Sequence, residues 1–281
     1  MRLSPEQVKG RIKNIAKQND ADARILLRVY MMERFLERVA NSKYRDNFII
    51  KGGILVTSMV GVALRSTMDV DTSLVNHDLS EDEAKKILLE VTALDLDDGI
   101  TFEIKDISNI MDDMEYPGIR FSMNAIMEKM ITPMKIDIST GDVITPHAIE
   151  YQYQLMLENR IIRLRAYNLE TILAEKIQTI LSRGLLNTRM RDFYDIYVLL
   201  LLHEKDIDRK TIKNAFQATC EHRGTEELLQ GGSSILDMVG KDAQLRTRWG
   251  AYQKKYPYAA DVPYEAILNS AGALLDILLT E

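Results

Sequence analysis

The chain has 281 residues, of which 46% are hydrophobic and 28% are charged, and these totals predict a globular protein with two modest domains. The net charge of −6 argues against a generally basic nucleic-acid coat, and one cysteine with four scattered histidines excludes an internal disulfide and a zinc site. The longest aliphatic run, Val198 to Leu202, is far shorter than the roughly 18 residues of a membrane span, so no membrane association is expected.

The first residues, Met1 to Glu6, lack a basic start followed by an apolar core, so no secretory signal is predicted and we expect a cytoplasmic location. From Pro5 to about Ala40, apolar residues recur at intervals of three and four. This spacing predicts helices, which we expect to cover one face of a sheet.

A strand, a glycine turn and a helix are predicted next. The short apolar run Phe48 to Ile50 ends at Lys51-Gly52-Gly53, and Ile54 to Val60 is typical of the first turns of a helix. A helix that begins at a glycine turn can present backbone N–H groups to triphosphate oxygens. Gly52 and Gly53 are therefore predicted to bind nucleotide, although such a turn is often only a turn.

Two carboxylates lie on the next predicted strand, at Asp69 and Asp71. Side chains two residues apart on a strand point to the same face, so both can converge on one hard cation while Met68 and Val70 face the core. The same tripeptide is common at solvated strand edges, which is the alternative interpretation.

Three residues near these motifs are predicted to bind the same triphosphate. Lys51 and Arg65 would add positive charge, and Ser66 would add a hydroxyl. Ser66 is the stronger candidate because it comes just before the carboxylate strand.

A helix is predicted after Ser80, where Ser80 to Glu83 fits a capping box. Three alternating segments then predict consecutive strands of one mixed or antiparallel sheet. These segments are Ile100 to Ile104, Ile119 to Ala125 and Met134 to Ile138.

Asp137 is predicted to complete an acidic cluster. It alternates with Ile136 and Ile138, so it emerges on the polar face of its strand. Three carboxylates on neighbouring strands can hold one or two Mg²⁺ ions for nucleotidyl transfer. Asp69, Asp71 and Asp137 are therefore predicted metal ligands and catalytic residues, and Asp137 could also accept the proton of the incoming hydroxyl. The alternative for Asp137 is a charge on an edge strand.

The character of the sequence changes near Thr145, and almost everything beyond Tyr167 is predicted to be helical. We therefore place a domain boundary near residue 150, between residues 1–150 and a mainly helical domain of residues 151–281. Gly231 to Ser234 predicts a loop between two helices of that second domain.

Lys176 lies inside the apolar arc of the helix predicted from Asn168 to Arg183, so it points toward protein. Such a lysine either extends along apolar surface to solvent or is held for an anion such as a triphosphate. Arg183 lies on nearly the same face and is a second candidate to bind that anion.

The helix predicted from Arg189 to Leu202 is apolar around most of its circumference, yet it includes Asp192 and Asp195. Buried carboxylates need partners, and Lys176 is one of the nearby candidates. An ion pair between one of these aspartates and a nearby cation could simply hold two helices together. Alternatively, one of the aspartates orients Lys176 toward phosphate. Farther on, Trp249, Tyr252 and Tyr256 are predicted to be packing residues rather than base-stacking platforms.

Together these motifs resemble the AbiEii-type toxins of abortive-infection and toxin–antitoxin systems, which include the MenT toxins and belong to the nucleotidyltransferase superfamily of DNA polymerase β. The resemblance covers roughly residues 45–200, and the combination is far more specific than any part of it. The matching residues are Lys51-Gly52-Gly53, Arg65 with Ser66, Asp69-Val70-Asp71, Leu173 to Lys176 with Arg183, and Arg191 to Asp195.

The resemblance implies an α+β fold, in which a DNA polymerase β-like nucleotidyltransferase domain, a mixed sheet flanked by helices, is followed by a helical domain. It implies that one aspartate of the Arg-Asp-x-x-Asp helix joins the active site, and the choice between Asp192 and Asp195 stays open. The other implied active-site residues are Ser66, Asp69, Asp71 and Lys176. One departure is that Ile54, and no hydroxyl, follows the glycines, which leaves phosphate binding there to backbone groups or to Ser66.

The implied activity is Mg²⁺-dependent transfer of a nucleotide from an NTP to the 3′ end of tRNA, which blocks aminoacylation and stops growth. The resemblance also implies phage defence by abortive infection and a cognate antitoxin, a separate DNA-binding protein that represses the operon. Two alternatives stay open: a nucleotidyltransferase that modifies a small molecule or a protein hydroxyl, and a nucleotide-binding regulator without catalysis.

Overall fold

The computed structural model describes residues 3–77, 80–110 and 118–279. The chain forms two compact units, each with its own core. Unit 1 consists of Met1–Asp142 and Ala148–Ala166, and unit 2 consists of Val143–His147 and Tyr167–Glu281.

Unit 1 is built on a mixed seven-stranded sheet with the order β3-β4-β5-β2-β1-β7-β6. Its strands are β1 (Phe48–Lys51), β2 (Asp69–Leu74), β3 (Ile100–Ile110), β4 (Gly118–Met127), β5 (Met130–Ser139), β6 (Ile149–Gln154) and β7 (Ile161–Ala166). Its helices are α1 (Pro5–Gln18), α2 (Ala23–Asn41), α3 (Gly52–Val60) and α4 (Glu81–Thr92). The mixed sheet with flanking helices confirms the predicted fold class.

The N-terminal helices begin where their capping residues predict. Ser4 caps α1 in a reciprocal capping box with Gln7, and Pro5 occupies the first turn, where its missing N–H is harmless. Ser80 caps α4 by accepting from the Glu83 N–H. Because helix ends leave four N–H groups without intrahelical partners, these caps fix where the helices start.

The core of unit 1 lies where α2 packs on the sheet, since α2 contacts β5 and β7. Apolar α2 side chains, including Phe35 and Leu36, are fully buried, as are Phe121 of β4 and Ile136 of β5. Each such side chain contributes about 1.5–3 kcal/mol relative to an exposed one.

The sheet contains both parallel and antiparallel strand pairs, and the pairing places β2, with Asp69 and Asp71, beside β5, with Asp137. β3, β4 and β5 form an antiparallel meander, while β5 pairs in parallel with β2 and β1 pairs in parallel with β7. The sequence predicts a domain boundary near residue 150, and β6 and β7 lie almost entirely after that residue. Both strands nevertheless belong to the sheet of unit 1, because β7 hydrogen-bonds to β1 and β6 pairs with β7.

Unit 2 contains six α-helices among its described residues, as the sequence beyond Tyr167 predicts. They are α5 (Leu169–Arg183), α6 (Met190–His203), α7 (Arg209–Arg223), α8 (Leu228–Lys241), α9 (Ala243–Lys255) and α10 (Tyr264–Leu279). Asn168, Asp208 and Asp242 cap α5, α7 and α9 through their side chains.

The predicted loop at Gly231 to Ser234 is wrong, because these residues lie inside α8. A Cβ atom on Gly232 would lie 3.1 Å from a methyl of Leu181 and 3.3 Å from one of Leu275. The glycine therefore allows close helix packing, which outweighs its low helix propensity.

None of the described helices is both long and apolar enough to span a lipid bilayer.

Candidate active site

Strands β2 and β5 bring three carboxylates together in unit 1. The two strands pair in parallel with Asp71 opposite Asp137, and Asp69 lies two residues before Asp71 on the same face. One carboxylate oxygen from each residue lies within 4.8 Å of the others. Asp69 and Asp71 are half-buried, while Asp137 is buried. The predicted convergence of these side chains is present in the structure.

The surroundings of Asp71 disfavour the charged form of its carboxyl group. Burial raises the pKa of Asp71 to about 6, and the neighbouring carboxylates of Asp69 and Asp137 act in the same direction, against Lys51 and the Gly53 N–H. Like charges confined in a poorly solvated site repel one another. A bound cation relieves this repulsion, and oxygen ligands of this kind suit Mg²⁺, so the residues fit a divalent metal ion.

Arg120 of β4 holds Asp137 through two parallel hydrogen bonds. Its Nε lies 2.8 Å from Asp137 Oδ1, and a terminal nitrogen lies 2.6 Å from Oδ2. The hydrogen bond to Asp137 raises the pKa of Arg120, as expected for a bidentate pair. Asp137 therefore has a cationic partner that holds both of its carboxylate oxygens.

Arg120 is not among the site residues predicted from the sequence. A signal was present, because Arg120 alternates with Ile119 and Phe121 and so belongs to the polar face of β4. Its position opposite Asp137 depends on the register between β4 and β5, which the sequence alone does not fix.

The two glycines make room for functional side chains. Gly52 has a φ of +61°, and a Cβ atom there would lie 2.1 Å from Asp71 Oδ2. A Cβ atom on Gly53 would lie 2.5 Å from the hydroxyl oxygen of Thr67. The Gly53 N–H also donates to Asp71 over 3.3 Å. The glycine turn thus fixes Asp71 against the start of α3, and its predicted contact with phosphate stays a prediction.

Lys51 lies in a small buried network at the end of β1. Its ammonium is 2.9 Å from Asp142, which also accepts a 2.7 Å hydrogen bond from Ser139. Although burial alone would raise the pKa of Asp142, Lys51 and Ser139 hold it below its usual value. Asp142 is not among the predicted site residues, since it follows the end of β5 without a recognisable pattern.

The segment before β2 orients Asp69. Thr67, which the sequence analysis did not identify, donates from its hydroxyl to Asp69 Oδ1 over 2.8 Å. The fully buried Arg65 donates to the carbonyl oxygen of the half-buried Ser66. The expectation that Met68 faces the core is wrong, since this side chain is 47% exposed. Met68 comes before β2 begins, so strand alternation does not apply to it.

A second cluster of predicted site residues lies in unit 2, between α5 and α6. The Lys176 ammonium is 3.0 Å from Asp192 and 2.7 Å from Asp195. Arg189 adds a 2.7 Å hydrogen bond to the other oxygen of Asp192. Lys176 is largely withdrawn from solvent, with 12% of its side chain exposed, so the predicted inward orientation is confirmed.

Both aspartates bind Lys176, so the structure joins the two residues between which the sequence could not choose. Burial opposes the charge of Asp192, but Lys176 and Arg189 together lower its pKa well below the usual value. Asp195 is fully buried. Arg183, the last residue of α5, forms no ion pair with any residue in the described parts of the chain.

The candidate site residues thus form two groups. Unit 1 joins the three carboxylates with the glycine turn, and Lys51, Arg65 and Ser66 lie in its adjoining segments. Unit 2 joins Lys176 with its two aspartates. Carboxylates for a metal and a constrained cation for phosphate are the groups that nucleotidyl transfer requires.

Among solved structures, the chain is similar to JHP933 from Helicobacter pylori, with 16% identity, 92% of this chain and 93% of that chain covered, and a TM-score of 0.53. It is also similar to a candidate nucleotidyltransferase from H. pylori, with 17% identity, 92% and 96% covered, and a TM-score of 0.49. Comparison with curated proteins gave no match. Identity with JHP933 is low, so that likeness supports the fold alone.

The family model described as "Nucleotidyl transferase AbiEii toxin, Type IV TA system" matches residues 34–270. This range includes the carboxylate strands of unit 1 and the Lys176 cluster of unit 2. Membership implies an NTP as substrate and an antitoxin as partner. The chain belongs to the AbiEii nucleotidyl transferase toxin family of type IV toxin–antitoxin systems, and it is an NTP-dependent nucleotidyltransferase.

Proposed function

We propose that this protein transfers a nucleoside monophosphate from an NTP to the 3′ end of tRNA, with Mg²⁺ bound by Asp69 and Asp71. The observation that carries the proposal is the convergence of three carboxylates within 4.8 Å on β2 and β5. A second ion would add Asp137 as a ligand. When bound, the metal would offset triphosphate charge and align the α-phosphate for in-line attack.

The protein's own groups prepare this site. Thr67 and the Gly53 N–H hold Asp69 and Asp71 in place, and Arg120 orients Asp137 through two hydrogen bonds. These partners reduce the rearrangement that substrate binding requires. In this proposal Asp137 also accepts the proton of the attacking hydroxyl. The nucleotide contacts come from Lys51, Gly52, Gly53, Arg65, Ser66, Lys176 and Arg183.

Lys176 is proposed to neutralise the charge that develops on the leaving pyrophosphate. Asp192 and Asp195 fix its ammonium from within unit 2. Two carboxylates stabilise the protonated form of a lysine, and their burial limits the positions that it can adopt. A fixed cation of this kind stabilises a transition state better than a mobile one.

At the level of the cell, transfer to the tRNA 3′ end would block aminoacylation and stop growth. We propose that this occurs in the cytoplasm and serves phage defence by abortive infection. The antitoxin is proposed to be a separate DNA-binding protein. Support for these statements comes from membership in a type IV toxin–antitoxin family.

The test is incubation of the full chain with Mg²⁺, each α-labelled NTP in turn and total tRNA. Label should enter tRNA with the wild type and be absent with Asp69→Asn, which removes one ligand charge at nearly constant volume. Asp46→Asn is the matched control, because Asp46 is exposed and lies outside the cluster. Its transfer rate should equal that of the wild type.

Oxidation of the tRNA 3′ diol with periodate identifies the attacked position, since transfer there requires an intact terminal hydroxyl. Label that persists after oxidation contradicts transfer to the 3′ end. Label on a small molecule or a protein identifies a different acceptor. Undiminished transfer by Asp69→Asn contradicts the proposed metal site.

A further inference from the structure

Residues 243–260 differ in charge from the rest of the chain. They include Arg246, Arg248, Lys254 and Lys255 and no acidic residue, although the whole chain has a net charge of −6. Lys254 and Lys255 are exposed at the end of α9. Lysines there interact favourably with the helix dipole, so their position alone does not indicate a ligand.

Two tyrosines directly after α9 supply a second observation. Tyr256 and Tyr258 are half-buried, with ring centroids 5.4 Å apart and planes inclined by 27°. Tyr252 packs against Tyr256 at 4.6 Å and is itself buried, as is Trp249. Trp249 and Tyr252 are therefore packing residues as predicted. Tyr256, which the sequence also predicts to be a packing residue, packs on Tyr252 but keeps part of its surface in solvent, as does Tyr258.

Two cations lie against the ring of Tyr256. The Arg191 guanidinium is 5.9 Å from its centroid, and the Lys255 ammonium is 5.3 Å from it. Arg191 also donates to the Tyr256 hydroxyl over 3.3 Å. Aromatic rings beside basic groups, partly open to solvent, are the elements with which proteins bind single-stranded nucleic acid.

We infer that Arg191, Lys254, Lys255, Tyr256 and Tyr258 form a binding surface for single-stranded RNA, called here the tyrosine surface. A base stacks against the exposed part of the tyrosine pair, and the cations bind the flanking phosphates. The inference rests on the proposed function and deepens it, since it identifies how unit 2 binds the acceptor end.

The contacts of the tyrosine surface with α6, to which Arg191 belongs, support this assignment. Arg191 immediately precedes Asp192, which binds Lys176. On the same helix, Tyr194 packs against Tyr258 with ring centroids 4.9 Å apart. A strand of RNA on this surface therefore lies next to the cluster that is proposed to act on phosphate.

Fluorescence anisotropy tests the inference with the full chain and a fluorescein-labelled single-stranded RNA of about eight nucleotides, a length within the usual site size. No nucleotide or metal is added, so binding is measured apart from transfer. Tyr256→Leu should weaken binding about tenfold, because one stacking ring is lost. Tyr256→Phe keeps the ring and should bind within about twofold of the wild type.

The charge test uses two adjacent pairs of exposed lysines. Lys254→Gln with Lys255→Gln should lower the slope of log affinity against log salt by about 1.4, since each lost phosphate contact on a single strand contributes about 0.7. Lys85→Gln with Lys86→Gln makes the same change in net charge on α4. This control pair should leave the slope and the affinity unchanged.

If both double lysine variants bind RNA equally more weakly than the wild type, the effect comes from net charge alone and the inference is overturned. Unchanged RNA binding by the variant at Lys254 and Lys255 would also overturn it. This lysine variant decides the test if thermal unfolding shows that Tyr256→Leu is not folded. Wild-type transfer to tRNA with an unchanged KM in the lysine variant would reject the tyrosine surface and keep the proposed function. RNA binding without transfer would do the reverse.

Discussion

At position 52 the backbone leaves no space for a side chain. Gly52 has a φ of +61°, and an added Cβ would overlap the Asp71 carboxylate. Gly224 offers a comparison, since its φ is +60° and no atom lies within 4 Å of its added Cβ. Two effects of a glycine, backbone freedom and close approach, can therefore be separated in one protein.

We expect Gly52→Ala to abolish nucleotidyl transfer, because the added Cβ displaces the Asp71 carboxylate from its position in the cluster. Gly224→Ala should cost about 1–2 kcal/mol of stability for the left-handed backbone and keep full activity. Labelled transfer and thermal unfolding of both variants check this. Equal activity of the two variants would contradict the role given to Gly52.

Arg120 is expected to contribute more to the free energy of unfolding than a surface arginine does. Arg120→Gln leaves the buried Asp137 without its bidentate partner and should lower the free energy of unfolding by about 2–3 kcal/mol. Arg120→Lys keeps the charge but loses the fork, so it should fall between the wild type and Arg120→Gln. Urea unfolding measures these differences.

Arg45→Gln is the control for Arg120, since Arg45 pairs with Glu150 at the surface. An exposed pair of this kind contributes up to about 1 kcal/mol. A loss in Arg45→Gln that matches the loss in Arg120→Gln would show that the Asp137 pair has no special weight.

Glu33 makes the stability of the folded protein depend on pH. Burial raises the pKa of Glu33 to about 8, although Met156 donates its backbone N–H to the carboxyl. Between the unfolded pKa near 4.5 and about 8, the folded protein keeps a proton that the unfolded chain has released. Stability from this group is therefore present below pH 4.5 and is lost as the pH rises to about 8, by about 1.4 kcal/mol per pH unit.

Glu33→Gln should flatten this dependence, because the amide keeps an acceptor for Met156 and does not titrate. Urea unfolding of both proteins between pH 5 and pH 9 gives the comparison. Glu128→Gln, at an exposed position, should follow the wild-type curve. Parallel curves for the wild type and Glu33→Gln would contradict the raised pKa.

At the scale of elements, helices α5 and α6 are joined by a buried ion cluster. Lys176→Met leaves Asp192 and Asp195 with one fewer cation, and we expect a loss of about 3–5 kcal/mol together with loss of transfer. Adding Asp195→Asn to Lys176→Met should recover part of the stability and none of the activity. Chemical unfolding and labelled transfer separate the two effects.

Lys241→Met is the control for this cluster, because its pair with Asp237 is exposed on both sides. It should change the free energy of unfolding by less than about 0.5 kcal/mol. Full transfer by Lys176→Met would leave the cluster with a structural role only, which the sequence analysis kept as an alternative.

Local patterns predicted the main elements well. Alternation predicted β4 and β5, the glycine turn predicted the start of α3, and helical periodicity placed Lys176 inward. These features depend on neighbouring residues, so one sequence contains enough information. The carboxylate cluster was predictable for the same reason, since Asp69 and Asp71 share one face of a strand.

Features that depend on distant residues escaped prediction. Arg120 meets Asp137 only in one register of β4 and β5, and Asp142 meets Lys51 across a separation of 91 residues. Gly232 is helical because of space between helices, which overrides its local propensity. Tertiary structure decides these cases.

At the scale of the whole molecule, the single cysteine reports on folding. Cys220 lies on α7, is fully buried, and burial raises its pKa to about 11. At pH 8 only about one thiol in a thousand would be ionised at that pKa. A thiol reagent should label the native protein very slowly and the denatured protein quickly, with one label per chain.

Labelling in rising urea therefore measures how unit 2 opens, independently of activity. Mass spectrometry counts the labels, and Cys220→Ser is the blank. Fast labelling of the native chain at pH 8 would contradict the buried position of Cys220.

The path of the chain between the two units has a consequence for gene fragments. Residues 143–147 belong to unit 2, while Ala148–Ala166 returns to complete the sheet of unit 1. A fragment that ends at Asp142 lacks β7 and leaves one edge of β1 without its hydrogen-bonding partner, which favours aggregation. Recombination at a single site therefore cannot exchange one unit intact, so we expect the two units to have been inherited together.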